Sequence, residues 1–208
     1  MATIASSVGN VGLDSRADSL RGPEIDAPHG HFTIANPADL PPAEAQLAYN
    51  TLIDIMVRSY VASMEPTTRR YIAWPRYNSA PYPSATHGNR YVNNYVNPEA
   101  AAAGYGQGGV TMPPGAIIAK DSFTATQAGD LWPGALFVME KLEPAVSPEN
   151  GDWRYLMIMP DGSTFGDSLT HPARMAFCHE CHAARAEDDY LFFVPTEAAA
   201  ALPSAITP

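Results

Sequence analysis

Both cysteines of this 208-residue chain fall inside one five-residue stretch, Cys178-His179-Glu180-Cys181-His182. Thiols that close in sequence cannot tie distant parts of a fold together, so no disulfide framework holds this protein. The chain must instead close a hydrophobic core of its own. With 46% apolar residues it has the material, and a domain of this length buries about two thirds of the surface its unfolded form exposes. The 20 prolines and 15 glycines argue against an all-helical bundle and for many turns. Acids outnumber bases, 22 to 12, for a net charge of −10. Such a balance argues against nucleic acid as a partner, because phosphates demand a lysine and arginine surface. The longest apolar runs, around Leu136 to Met139 and Leu156 to Met159, fall far short of the roughly 20 residues of a membrane span.

The cysteine stretch also carries chemistry. Two cysteines separated by two residues, with histidine next, fit the attachment pattern of a c-type haem. Two thiols one turn apart can each form a thioether to a porphyrin vinyl group, and His182 then meets the iron from the proximal side. Two other readings compete. A thioredoxin-like redox pair wants a parallel sheet before the motif and a helix after it. A structural zinc site wants four ligands, and Cys178, Cys181 and His182 leave one short, with His179 badly placed to complete the tetrahedron.

The rest of the chain suggests one domain, α+β in class, with a mostly antiparallel sheet and flanking helices. Residues 1–43 read as an extended or partly ordered arm, in which His29 and His31 are a surface pair without a metal. Residues 44–200 form the domain, and 201–208 a fraying tail. Pro41 and Pro42 precede a helix over Ala43 to Met64, with Leu47, Leu52, Ile55, Met56, Ser59 and Tyr60 near a 3.6 period. A small helix is expected from Pro98 to Tyr105. Strands are expected at Arg90 to Asn93, Ala116 to Phe123, Ala135 to Leu142, Trp153 to Met159 and Asp189 to Pro195, separated by Gly, Pro and Asp turns.

Several short segments, in order, resemble the cytochrome P460 family, which includes cytochrome P460 and the beta form of cytochrome c'. They are Arg90 to Asn93, Pro113 to Lys120, Gly134 to Lys141, Gly151 to Tyr155, the haem motif, and Asp189 to Phe192. The resemblance spans 71–195. It implies Cys178 and Cys181 as the thioether cysteines, His182 as proximal iron ligand, and haem c as the covalently attached cofactor. Lys120 sits where the family's enzymes bond a lysine to a porphyrin meso carbon. The implied activity is hydroxylamine oxidation, to nitrous oxide or nitric oxide, at an open five-coordinate haem. The alternative on the same fold is a nitric oxide- or carbon monoxide-binding, or electron-transfer, cytochrome. A redox partner cytochrome and a homodimer belong to the same expectation.

Sequence alone leaves Lys120 open between cross-link and a strand-end lysine that reaches water along its own stem. Lys141 reads as a surface residue. Glu140, Asp121 and Glu187 are candidates for distal acid-base work, and Asp189 for a turn anchor. Phe137, Trp153, Tyr155 and Phe193 are candidates to pack on the haem, Arg154 and Arg174 to pair with its propionates. Met139, Met157 and Met159 read as core filling in preference to an axial ligand. The first ten residues show neither a basic n-region nor an apolar h-region, so no signal peptide is visible. Covalent haem attachment nevertheless implies a periplasmic or secreted protein.

Overall fold

A computed structural model describes residues 36–201 and two short segments, 24–25 and 33–34. Those segments, β1 (Glu24–Ile25) and β2 (Thr33–Ile34), pair as a two-stranded antiparallel ladder. The rest of the expected arm to residue 35, with His29 and His31, and the tail beyond 201 lie outside the described residues.

Helix α1 (Pro42–Val61) starts where the proline pair dictates, with Pro42 in the first turn, where its missing N–H costs nothing. The chain leaves it through Met64, held at φ 66°, just before Pro66. Its buried stripe is Ala45, Ala48, Tyr49, Leu52, Met56 and Tyr60. Leu47 and Ile55, expected on that stripe, are exposed at 65% and 37%. The tyrosines set the phase, because each hydroxyl finds a buried acceptor, Tyr49 the Asp121 carboxylate and Tyr60 the Gly134 carbonyl.

That sheet has seven strands among the described residues: β3 (Tyr82–Ser84), β4 (Arg90–Val96), β5 (Ile117–Ala125), β6 (Leu131–Pro133), β7 (Leu136–Lys141), β8 (Trp153–Ile158) and β9 (Thr164–Asp167). The order is β3-β4-β5-β7-β8-β9, with β6 beside the far end of β5, and every pairing is antiparallel. Strands β6 and β7 flank successive halves of β5, and the chain kinks between them at Gly134. There the backbone approaches so closely that a Cβ would sit 2.3 Å from Ser122 Oγ. A short helix, α2 (Pro98–Ala102), is capped by the Asn97 side chain, which accepts from Ala100 N.

Helix α3 (Pro172–His182) carries the cysteine motif. A 3-10 turn over Ala183–Asp188 follows, then coil. Asp189 to Pro195, expected as a strand, is not one. Asp189 and Tyr190 both adopt left-handed backbone (φ 55° and 64°), which turns the chain out of any extended ladder.

Both faces of the sheet are covered. On one, Ile117, Ala119, Phe123, Leu136, Val138, Leu156 and Ile158 pack against α1. On the other, Val96, Ile118, Phe137, Tyr155 and Met157 meet α3 and the coil around Leu191. The alternation follows the strand period of two, and burial of each large side chain contributes roughly 1.5–3 kcal/mol. The second face is the one that holds a cavity.

Candidate functional site

The cavity lies between the sheet and α3, with an open volume of about 670 Å³ including the solvent at its mouth. Helix α3 contributes Cys178, Cys181 and His182. One helical turn separates the two cysteines, so both thiols face the same side. Both are free, and Cys178 is buried while Cys181 is exposed. Burial, with Cys181 adding to it, pushes the Cys178 thiol up to about 12. A thioredoxin-like pair needs a lowered thiol pKa, so this geometry argues against that reading. No group of three or more His, Cys, Asp or Glu side chains able to hold a metal occurs among the described residues, which argues against a zinc cluster.

His182 packs between two rings, Tyr155 at 5.4 Å and Phe192 at 5.3 Å. Its Nδ1 donates to the Tyr190 carbonyl at 2.7 Å. Burial lowers its pKa to about 4, so the ring is neutral at pH 7. A neutral imidazole protonated on Nδ1 keeps its lone pair on Nε2, the arrangement that metal-binding histidines adopt.

The sheet supplies the opposite wall. Lys120 of β5 pairs with Asn94 on one side and Phe137 on the other, and Phe137 pairs with Met157. Lys120 is 9% exposed and lines the cavity. Among the described residues its ammonium has no hydrogen bond and no ion pair, and burial lowers its pKa to about 8. Tyr155 of β8 also faces the cavity, with a buried hydroxyl that finds no hydrogen-bond partner among the described residues. At the rim the 3-10 turn Ala85–His87 brings in His87, 8% exposed, edge-on to Phe137 at 4.9 Å and bonded through Nδ1 to Ser84 Oγ at 2.8 Å.

A family model, cytochrome P460, matches residues 68–193, more than half of the chain. The chain belongs to the cytochrome P460 family. No curated protein matches it. Membership implies a c-type haem protein, and the cavity fits that group on its own evidence. Two free thiols one turn apart, an imidazole of fixed tautomer and, among the described residues, a tyrosine hydroxyl and a lysine ammonium without hydrogen-bond partners surround one apolar space.

Several residues expected at the haem lie elsewhere. Asp121, next to Lys120 in sequence, points to the other face, where Tyr49 Oη (2.6 Å), Tyr71 Oη (3.2 Å) and Asn93 Nδ2 (3.0 Å) donate to it. Glu140 and Arg154 pair with each other at 2.8 Å, and Arg154 also binds Asp167 and Glu65, so neither lines the cavity. Glu187 is exposed beside Arg185. Arg174 is exposed and stacks over Phe165. Lys141 is not a surface residue: it is 9% exposed and held by Asp189 at 2.5 Å, because the partner lies 48 residues downstream. Phe137 and Tyr155 do line the cavity; Trp153 and Phe193 belong to the surrounding core. Of the strand methionines, Met139 reaches the lining, while Met157 is buried and Met159 partly so. His87, Tyr105 and Phe192 line the cavity without sequence warning. Only the Arg90 strand start after His87-Gly88 hinted that this histidine ends a turn against the sheet.

Proposed function

We propose that this protein is a cytochrome that oxidises hydroxylamine, toward nitrous oxide or nitric oxide, with haem c held by Cys178, Cys181 and His182 and with Lys120 bonded to a porphyrin meso carbon. The observation that carries this reading is Lys120. An ammonium taken out of water without a partner is costly, and this one stands in the wall of the haem cavity with none among the described residues. A bond from Nζ to the porphyrin, formed as one N–H and one meso C–H hydrogen leave to a two-electron oxidant such as a peroxide, removes that cost.

When bound, haem supplies an iron that changes oxidation state and takes a small nitrogenous ligand on its open face. The chain's own residues do the rest. Cys178 and Cys181 tether the macrocycle by adding their S–H across its vinyl groups. His182 offers Nε2 from the α3 side, held in that tautomer by Tyr190 O. Phe137 and Ile118, on the sheet wall opposite α3, exclude water from the ligand side. With Glu140, Asp121 and Glu187 away from the cavity, His87, whose ring lines it, is the candidate to take a substrate proton. Electrons leave to a redox partner cytochrome, and a net charge of −10 favours a basic one by steering. Covalent haem attachment sets the protein in the periplasm or outside the cell, and a homodimer is the assembly expected of the family. Among the described residues no helix is long and apolar enough to cross a membrane.

The apolar lining, with Met139 within it, favours one second reading: a nitric oxide- or carbon monoxide-binding, or electron-transfer, cytochrome without the lysine bond. Intact mass and the reduced absorption spectrum separate the two. A Soret band shifted to the red, with a mass lower by the two hydrogens that the C–N bond replaces, supports the enzyme, and Lys120→Met abolishes both. An ordinary c-type spectrum in the wild type refutes the cross-link.

A further inference from the structure

Beside His182, three contacts hold Asp189 and two more hold its partner Lys141. Lys141 Nζ, at the end of β7, lies 2.5 Å from Asp189 Oδ1 and 2.9 Å from Gly151 O, and 4.9 Å over the Trp153 ring. The second carboxylate oxygen, Asp189 Oδ2, accepts from Met112 N at 2.8 Å. The Asp189 carbonyl accepts from Trp153 Nε1 at 2.9 Å. Both ion-pair side chains are about one-tenth exposed. Asp189 and the next residue, Tyr190, are both left-handed although neither is glycine. Such backbone costs on the order of 1–3 kcal/mol per residue and persists only where its surroundings over-determine it. Tyr190 is in turn pinned from the side: a Cβ on Gly151 would fall 2.2 Å from its ring. What this costly turn presents is the Tyr190 carbonyl, 2.7 Å from His182 Nδ1.

We propose that the Lys141–Asp189 ion pair is a positioning device for His182: it holds the turn that aims the Tyr190 carbonyl at Nδ1, and so sets how strongly Nε2 donates to iron. This rests on His182 being the proximal ligand, as proposed above. A hydrogen bond at Nδ1 raises the basicity of the imidazole and stabilises the more highly charged ferric state. Loosening the turn weakens that bond, so the ferrous state gains and the midpoint potential rises.

The test uses the haem-loaded protein with three substitutions, Asp189→Asn, Lys141→Met and Gly151→Ala. The last displaces Tyr190 while leaving both side chains of the ion pair in place. Outer-shell partners of metal ligands are typically worth about tenfold or more. A tenfold change in the ferric-to-ferrous ratio at fixed potential corresponds to about 59 mV for one electron. Each variant is expected to shift the midpoint upward by roughly that much and to lower the iron–histidine stretching frequency in the resonance Raman spectrum of the ferrous protein. Glu65→Gln, which loosens a different, partly exposed ion pair, is expected to move neither. Should one variant fail to accumulate, the other two give the same reading. Unchanged potential and stretch in the folded variants overturn the positioning role, as does an equal shift in Glu65→Gln. If the wild-type protein shows no iron–histidine band that is lost in His182→Ala, it is the ligand assignment itself that falls.

Discussion

Changing Lys120 to methionine separates the two possible states of that side chain by the sign of its effect. If Lys120 is a free amine, burial holds its pKa at about 8 against an ordinary 10.5. A gap of about 2.5 units, at about 1.36 kcal/mol each, puts the cost of the buried ammonium on the order of 3 kcal/mol. Because the folded value lies below the unfolded one, that cost is carried in full below pH 8. It fades as the pH rises from 8 to 10.5, where the unfolded chain still binds the proton and the folded one has lost it. A free lysine therefore demands that the protein gain stability on alkalinisation. It also demands that Lys120→Met, similar in length and uncharged, be more stable near neutral pH by about 3 kcal/mol, or about 6–12 °C in Tm for a domain of this size. A lysine nitrogen bonded to the porphyrin carries no such charge. The expected outcome is thus a wild-type haem-loaded protein whose Tm shows no alkaline gain, and a Lys120→Met variant that melts no higher while losing the red-shifted Soret band. The assay is thermal unfolding followed by near-ultraviolet circular dichroism at neutral and alkaline pH, with absorption spectra taken on the same samples. An alkaline gain near 3 kcal/mol in the wild type, together with a higher-melting variant, refutes the cross-link argument.

Asp121 gives the complementary pH dependence. Burial raises its carboxyl to about 6 from 3.8 despite the donors around it, so stability should fall as pH climbs from about 4 to about 6, by on the order of 3 kcal/mol. Denaturant titrations across that range check this, and Asp121→Asn should flatten the slope. Arg154→Met leaves Glu65, Glu140 and Asp167 without their shared cation; since the cluster is partly exposed, the loss should be about 2 kcal/mol, well under the figure for a fully buried pair, and visible as a lower urea midpoint. Gly134→Ala drives a Cβ to 2.3 Å from Ser122 Oγ and 2.9 Å from Ser122 O. It should cost about 1–3 kcal/mol in the same assay, with the haem spectrum unchanged because the kink packs toward α1 through Tyr60.

Much of this architecture is legible from local patterns. The long strands β4, β5, β7 and β8 lie where Gly and Pro punctuation meets β-branched and aromatic residues, and α1 begins at its proline pair. Helix α3 was hidden because its apolar residues do not form a stripe: it is wedged over a cavity, with only Met175 and Cys178 buried. The run Tyr190 to Val194 has the composition of a strand, but two left-handed residues and Pro195 deny it a ladder. Lys141 and His87 show the limit of local reading most directly. One owes its burial to Asp189, the other to Phe137 and Ser84, and the charge or ring alone says nothing of either partner. The haem motif is legible because covalent attachment requires its residues to be neighbours in sequence, whereas the rest of the cavity wall is assembled from six separate segments.

Lys120 and Asp121, adjacent on β5, face opposite sides of the sheet. Were β5 to slide by one residue against β4 and β7, a carboxylate would enter the apolar haem space and an ammonium would land among the hydroxyls of Tyr49 and Tyr71. Each polar side chain is tolerable only in its own compartment, so Tyr49 of α1, Tyr71 and the chain wall opposite α3 together reject the shifted pairing. The carboxylate cage under the sheet thus guards the placement of the lysine above it, from a distance at which the two never touch.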